Sequence, residues 1–336
     1  MSVFSYIVLE IYPFACYTSL KDYKGGSAMI PYFDTHCDTV YHGVKEDYHL
    51  RRNHKHIDLE RLAQFDKAVQ CFAIFNTVKN APAGGMFALT LEEEAYFRRE
   101  LAENTDIAAV CRTTDDIRKA NAEGKVAAVL TIEGSELLNC DPEKIEWADE
   151  KGVRAISLTW NHPNFIAGTN LHETSRGLND LGREFVRRCQ EKDILVDVSH
   201  CSDVAFWDLM KITTKPILAS HSNSRVLCNH SRNLTDDMFR AICETGGVVG
   251  LNYYGKFIHE TDGTDMEAFL RHFDHFLELG GAKHIGLGSD LDGCNPLAGG
   301  MTGVQDVPKL YNALKERGYD DALLEDIFYN NFMRIF

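Results

Sequence analysis

The most constraining feature of this sequence is a repeated alternation between short apolar runs and longer helix-patterned stretches. Eight runs rich in β-branched and aliphatic residues are bounded by turn signals, and a polar or helix-patterned segment separates each run from the next. The runs cover residues 30–36, 68–75, 125–133, 153–160, 194–200, 216–221, 247–254 and 284–290. Because they are continuously apolar rather than alternating, they are typical of parallel strands covered by helices.

The segments between the runs favour the same architecture. Three of them carry apolar residues at helical spacing, at 89–104, 177–193 and 265–280. Glycines stand just before the following run, where a helix has to end, at positions 124, 152, 246 and 280. Strand and helix repeated eight times predict an α/β fold of the (β/α)8 TIM-barrel type, formed as a single domain by residues 29–336.

Residues 1–28 precede the first predicted strand, and we interpret them as a poorly ordered appendage or as sequence before a natural start at Met29. The apolar run at their beginning is interrupted by Glu10 and Pro13, and the first positive charge is Lys21, so it lacks the basic leader of a secretory signal. No stretch reaches the roughly 18 uninterrupted apolar residues of a membrane span. We therefore expect a cytoplasmic protein without a membrane anchor.

Charge and cysteine content exclude several classes of protein. The 336 residues include 35 Lys and Arg against 50 Asp and Glu, a net charge of −15, which is unsuited to binding nucleic-acid phosphates. The ten cysteines are at least twelve residues apart and form no CxxC zinc motif, so we expect free, buried thiols in a reducing compartment. With 44% apolar residues, the chain can build the core of a compact catalytic or binding protein.

Residues able to bind metals or move protons stand at the carboxyl ends of six of the eight runs. They are His36 with Asp38, Glu133, Trp160 followed by His162, His200, His221, and Asp290 with Asp292. In a (β/α)8 barrel the strand ends meet at one rim, where enzymes with this fold keep their active sites. Residues two apart share a face, so His36 and Asp38 can reach one ion. The pattern predicts a converging metal site.

The residue types at these ends favour two metal ions over one. Five imidazole and carboxylate groups, one of them able to bridge, suit a binuclear centre. Glu133 is the predicted bridge, because two carboxylate oxygens can span cations about 3.5–4 Å apart. His36 and Asp38 would hold one ion, and His200 and His221 the other. A bridging hydroxide, with its pKa drawn toward ~7 by the metals, would then be the nucleophile.

The ordered set of motifs resembles the membrane dipeptidase (renal dipeptidase) family, a branch of the amidohydrolase-like metal barrels. The motifs are HxD at 36–38, IEG at 132–134, DVSH at 197–200, ASHS at 219–222, SRN at 231–233 and GSDLDG at 288–293, and the resemblance covers residues 30–336. It implies a homodimeric dipeptidase with two Zn²⁺ per chain. It also implies ligand roles for the five residues His36, Asp38, Glu133, His200 and His221.

The resemblance further implies roles in substrate binding and proton transfer. The family's acid after the eighth strand falls on Asp290, which would carry a proton from the water to the leaving nitrogen. The family's arginine for the substrate carboxylate falls on Arg232, whose grip on that group would limit substrates to about a dipeptide. Family members often place a substrate-contacting histidine where this chain has Trp160. His162 is the candidate replacement, and we expect an altered substrate preference. Tyr254 is either a hydrogen-bond donor in the same pocket or a core-edge tyrosine.

Other interpretations remain open from the sequence. The same metal site would suit a lactam, a lactone or another small amide, and a barrel of this kind can also be a non-catalytic binding protein. The HKHID segment, with His54 and His56, is interpreted as a solvated loop, because basic residues surround it and no strand precedes it. Cys37 is expected to point away from the ligand face, and Asp292 to form a turn or to orient Asp290.

Overall fold

The computed structural model describes residues 29–83, 85–261 and 264–336, so the predicted appendage at 1–28 lies outside the described residues. Within these ranges nine strands form one sheet. They are β1 (Tyr32–Asp34), β2 (Ala68–Ile74), β3 (Ala108–Cys111), β4 (Val126–Ile132), β5 (Val153–Ser157), β6 (Leu195–Asp197), β7 (Ile217–Ala219), β8 (Val248–Leu251) and β9 (Ile285–Leu287).

Eight of these strands close into a parallel barrel. The order of neighbours is β1, β2, β4, β5, β6, β7, β8 and β9, and the ring closes where Asp34 of β1 pairs with Leu287 of β9. The prediction of a (β/α)8 barrel is confirmed. The remaining strand, β3, pairs in parallel with β4 outside the closed ring and was absent from the eight predicted runs.

Helices surround the barrel. In the described ranges they are α1 (Thr39–Glu46), α2 (Leu59–Leu62), α3 (Phe87–Glu103), α4 (Thr114–Ala122), α5 (Lys144–Glu150), α6 (Asp180–Glu191), α7 (Asp203–Met210), α8 (Asp236–Glu244), α9 (Met266–Glu278), α10 (Val307–Glu316), α11 (Asp321–Glu325) and α12 (Asn331–Met333). The three predicted helical stretches correspond to α3, α6 and α9. All four glycines predicted to end helices have a positive φ, between 72° and 92°, which glycine adopts without steric cost.

The core has a layer inside the barrel and a layer between barrel and helices. All seven residues of β2 and all seven of β4 are buried, as expected for strands covered on both faces. At the amino-terminal end, the ring of Phe33 lies 5.3 Å from Phe332 and 5.2 Å from Phe336. The C-terminal segment therefore closes this end of the barrel with aromatic side chains, which leaves the opposite rim for a site.

Two further sequence expectations can be compared with the structure. The nine cysteines in the described part of the chain are free, and eight of them are buried. In the same residues, no helix combines the length and the apolar character that crossing a bilayer requires.

Candidate metal centre

The five predicted ligands lie together at the carboxyl-end rim of the barrel. The strands are shorter than the predicted runs, so His36, Glu133, His200 and His221 each follow their strand by one to three residues. All five are buried, with exposed fractions between 1% and 7%. The structure brings these side chains together, and the loops directly after the strands hold them.

The carboxylate of Glu133 is oriented toward histidines on both of its sides. Its Oε1 lies 2.8 Å from Nε2 of His200 and 3.4 Å from Nε2 of His221. Its Oε2 lies 3.6 Å from Nε2 of His36, and that nitrogen is 3.4 Å from Oδ1 of Asp38. One oxygen therefore faces each pair of candidate ligands, which is the arrangement that a bridging carboxylate needs.

Polar atoms in this cluster lack hydrogen-bond partners. Nε2 of His36 and Oδ1 of Asp38 are buried without one. Leaving a buried polar atom unpaired costs about 1–3 kcal/mol, so such atoms point to a missing partner. Ligand atoms of His36, Glu133 and His221 lie within 4.8 Å of one another, as do those of His36, Asp38 and Asp290. Nitrogen and oxygen donors at this spacing fit a metal such as zinc.

The electrostatics of the cluster favour positive charge. Burial lowers the pKa of His36, but the carboxylates of Glu133, Asp38 and Asp290 outweigh burial and raise that pKa to about 10. Burial also raises the pKa of Glu133 well above its usual range, although His36 opposes the shift. Bound metal ions would stabilise the buried carboxylates of this cluster.

Polar residues that the sequence did not single out fix the orientation of His200 and His221. Nδ1 of His200 is 3.0 Å from Oδ1 of Asn161. Nδ1 of His221 is 2.7 Å from Oγ of Ser220, and this hydroxyl donates to Oδ2 of Asp197 at 2.7 Å. Metal-binding histidines generally make such bonds through the second ring nitrogen. The sequence signals for Asp197 and Ser220 were the DVSH and ASHS motifs that contain them, whereas Asn161 carried none.

Asp290 lies at the edge of the same cluster, in the loop after β9. Its Oδ2 accepts a hydrogen bond of 3.0 Å from Nδ2 of Asn252. Burial raises the pKa of its carboxyl to about 6, although the nearby His36 opposes the shift. A carboxyl with a pKa this close to neutrality is suited to accept and release a proton.

Arg232 reaches the cluster from the loop between β7 and α8. It is only 4% exposed, and its Nη2 lies 2.9 Å from Nε2 of His200. Its Nη1 donates to the backbone oxygen of Ser199, and its guanidinium lies 5.4 Å from the ring centre of Phe257. A buried, always-charged group is thus fixed directly beside a candidate ligand.

The three remaining predicted substrate residues lie at different distances from the ligands. The ring of Trp160 is 6.5 Å from that of His200, so it flanks the centre. His162 lies farther out, 5.5 Å from Trp160, and stacks on His172. Tyr254 packs on Phe257 at 4.9 Å, so Phe257 connects it to Arg232.

The interpretation of the HKHID segment is correct for one histidine and wrong for the other. His54 is exposed. The side chain of His56 is 24% exposed, and its backbone N–H donates a hydrogen bond of 2.7 Å to Oδ1 of Asp292. Cys37 lies in the hydrophobic core and donates a hydrogen bond to the backbone oxygen of Cys71, away from the ligands as expected.

An eight-stranded parallel barrel that gathers buried imidazoles and carboxylates at its carboxyl-end rim defines a metal-dependent hydrolase of the TIM-barrel type. The family model of the membrane dipeptidases, peptidase family M19, matches residues 27–336. The chain belongs to this family and is a metallo-dipeptidase, a hydrolase with a metal cofactor whose substrates are dipeptides.

Two solved structures agree with this assignment, and the chain is also similar to a curated relative. A protein of Klebsiella pneumoniae encoded in the pqqA 5' region is 32% identical over 255 residues, covering 73% of this chain and 93% of its own length. The structure of a metallopeptidase named dipeptidase AC matches with a TM-score of 0.84 and 28% identity, over 92% of this chain and 98% of its own. A Rhodobacter sphaeroides metallopeptidase with a phosphinate mimic of L-Ala-D-Ala matches with a TM-score of 0.82 and 26% identity, over 92% and 99%.

Proposed function

We propose that this metallo-dipeptidase is a binuclear zinc enzyme that cleaves the peptide bond of small dipeptides. The observation that carries the proposal is the placement of the two Glu133 oxygens, one toward His200 and His221 and the other toward His36. His36 and Asp38 would hold one ion and His200 and His221 the other, with Glu133 shared. The partnerless Nε2 of His36 and Oδ1 of Asp38 support this assignment.

The residues around the ions do not themselves provide a nucleophile. When bound, the two zinc ions would supply it by lowering the pKa of a shared water toward ~7, so that hydroxide is available, and by polarising the substrate carbonyl. The chain's own contribution is to fix its ligands. Asn161 and Ser220 hold the rings of His200 and His221, so that their Nε2 atoms face Glu133.

Asp290 is proposed to move the proton. Its carboxylate would accept the proton from the attacking water and deliver it to the departing amine nitrogen, which must be protonated before the peptide bond breaks. The hydrogen bond from Asn252 leaves Oδ1 free for this transfer. Its pKa near 6 allows both steps close to neutral pH.

Arg232 is proposed to bind the C-terminal carboxylate of the substrate. A guanidinium can form two parallel charge-assisted hydrogen bonds with a carboxylate, and burial strengthens them. Because Arg232 lies beside His200, the bound carboxylate would lie close to the scissile bond. Trp160 would flank the substrate, and His162 and Tyr254 would border it from farther out.

The proposed function is tested by metal analysis together with a substrate panel. We expect two equivalents of zinc per chain and hydrolysis of L-Ala-L-Ala and L-Ala-D-Ala, the latter suggested by the ligand of the Rhodobacter sphaeroides protein. Arg232→Ala should retain zinc and lose about 10²–10³-fold in kcat/KM, consistent with 2–5 kcal/mol for removing one partner of a buried charge pair.

The exposed Arg240, on α8, provides the matched control, and Arg240→Ala should behave as the unchanged protein. Amides and lactones without a free carboxylate should be poor substrates, and Arg232→Ala should not affect their turnover. Equal turnover of dipeptides by the Arg232→Ala variant and the unchanged protein would refute the carboxylate clamp. One zinc equivalent with full activity would refute the binuclear centre.

A further inference from the structure

The turn after β9, residues 290–293, carries the proposed proton-transfer group in an unusual backbone conformation. The N–H of Gly293 donates to the backbone oxygen of Asp290 at 3.1 Å, which closes the turn. Asp290 and Asp292 have φ angles of 58° and 68°. Non-glycine residues in this region cost roughly 1–3 kcal/mol each and persist only where the surroundings hold them. A Cβ added to Gly293 would collide with the carboxylates of Asp290 and Asp38, so the turn presses on the ligand cluster.

Asp292 is the residue through which the surroundings hold this turn. Its side chain is 1% exposed. Oδ2 accepts a hydrogen bond of 2.6 Å from Oγ1 of Thr39, the neighbour of Asp38, and its backbone oxygen lies 3.1 Å from Nε2 of His42. Oδ1 accepts from the backbone N–H of His56 at 2.7 Å, and the N–H of Asp292 donates to Nδ1 of His56 at 3.0 Å. His56 and Asp292 thus exchange two hydrogen bonds.

His56 is itself firmly placed. Its backbone oxygen accepts hydrogen bonds from the N–H of Val304 at 2.9 Å and from Nη1 of Arg61 at 3.1 Å. Its side chain is 24% exposed, and burial lowers the pKa of the imidazole. A neutral ring can keep Nδ1 unprotonated, which is the state that accepts the bond from Asp292. The bonded pair therefore connects a fixed loop to the turn that carries Asp290.

We propose that His56 is a positioning residue for the dipeptidase reaction: its paired hydrogen bonds with Asp292 fix the 290–293 turn and, with it, the carboxylate of Asp290. The proposal rests on the proposed function, because that function assigns the proton transfer to Asp290. Proton transfer contributes only in the transition state, so misplacing Asp290 should lower kcat and leave KM largely unchanged. Substrate anchoring at Arg232, on another loop, should not change.

Three substitutions separate this role from a general effect on the fold. His56→Ala removes the acceptor for the N–H of Asp292. His56→Asn restores it, because the amide Oδ1 stands close to where the imidazole Nδ1 was. His54→Ala is the matched control, since His54 is exposed in the same loop and its ring lies 6.0 Å from that of Tyr48. Thermal melts of all three, loaded with zinc, show whether the fold is retained.

Two measurements are compared across these variants. We expect kcat of zinc-loaded His56→Ala to fall about 10–100-fold with KM within about twofold, most of the loss to be recovered in His56→Asn, and His54→Ala to be unchanged. Amide hydrogen exchange of the peptide containing residues 288–294 should be faster in His56→Ala and restored in His56→Asn.

The two measurements also separate failure of this inference from failure of the proposed function. Unchanged kcat and unchanged exchange in His56→Ala would overturn the positioning role, as would equal impairment of His56→Ala and His56→Asn with equal melting temperatures. If the unchanged protein hydrolyses no dipeptide, the proposed function fails, while the exchange comparison still decides whether His56 holds the turn.

Discussion

Nε2 of His200 and Nε2 of His221 lie 3.0 Å apart, although the two residues are 21 positions apart in the chain. Two N–H groups could not face each other at this distance. The Nδ1 of His200 donates to Oδ1 of Asn161, and the Nδ1 of His221 donates to Oγ of Ser220, whose own proton goes to Asp197. Both Nε2 atoms therefore carry a lone pair. Burial, reinforced by Arg232 and His36, lowers both pKa values, so both rings are neutral and each Nε2 is available to bind a metal ion.

The first prediction concerns Asn161. Asn161→Leu removes the acceptor that fixes the tautomer of His200, so we expect zinc affinity to fall about 10–100-fold, as is typical when a ligand's hydrogen-bond partner is lost. Asn161→Asp, which keeps an oxygen at the same place, should retain most of the affinity. Competition with a zinc-binding dye measures both variants. Equal affinity in Asn161→Leu and the unchanged protein would show that His200 needs no such support.

The second prediction concerns the role of Asp290. Asp290→Asn preserves the shape of the side chain and its bond with Asn252 but cannot take a proton, so kcat should fall about 10²–10⁴-fold. Zinc content should stay at the level of the unchanged protein. Asp237→Asn, on the exposed surface of α8, is the control. If Asp290→Asn instead loses one zinc equivalent, Asp290 is a ligand in the group with His36 and Asp38 rather than the proton carrier.

The barrel, and the meeting of the candidate ligands at its rim, could be predicted because both depend on local patterns. An apolar run shows a buried strand, and the parallel topology brings the carboxyl ends of such runs together, wherever they lie in the sequence. His36 and His221 were predicted in this way to lie close together, although 185 residues separate them. β3 was not found, because it pairs outside the closed barrel and only its first and last residues are fully buried, so its apolar signal is weaker than that of the barrel strands.

The residues that orient the ligands could not be predicted for a different reason. Asn161 contacts His200 from the loop after β5, and nothing in residues 159–162 shows which side chain will lie against that ring. His56 was assigned to a solvated loop from its charged neighbours, whereas its partner Asp292 lies 236 residues away. Hydrogen bonds between loops depend on the folded geometry, to which a single sequence gives no direct access.

The third prediction concerns the aromatic side of the site. Trp160 is held by Phe75, with ring centres 4.9 Å apart, and it faces His200. Trp160→Ala should raise KM for dipeptides with apolar side chains about tenfold, which corresponds to roughly 1.4 kcal/mol of lost apolar contact, and should change kcat little. Trp207→Ala, a half-exposed tryptophan on α7, is the matched control. Identical KM values for the two variants would remove Trp160 from the substrate site.

The last prediction concerns Glu93, a buried carboxyl in α3 that the reaction does not use. Its oxygens accept hydrogen bonds from the N–H of Phe75 at 2.9 Å and from Nδ2 of Asn76 at 2.8 Å. Burial nevertheless raises its pKa to about 8, with a further increase from Asp38. The unfolded chain has a glutamate pKa of about 4.3. The folded protein therefore holds this proton more tightly than the unfolded chain does.

The sign of the pH dependence follows from this difference. The stability that the bound proton contributes is fully present below about pH 4, falls as the pH rises above the unfolded pKa, and is lost once the pH passes the folded value near 8. Glu93→Gln is a neutral mimic of the protonated acid, so the free energy of unfolding of the unchanged protein should decline relative to this variant between pH 5 and pH 9. The decline should be on the order of 1–5 kcal/mol, since one pKa unit corresponds to about 1.4 kcal/mol.

Denaturant unfolding of the zinc-loaded proteins measures this decline in the free energy of unfolding. Glu92→Gln, at the exposed neighbouring position, should show no such trend. A difference between Glu93→Gln and the unchanged protein that stays constant over this range would mean that Glu93 is already ionised at pH 5.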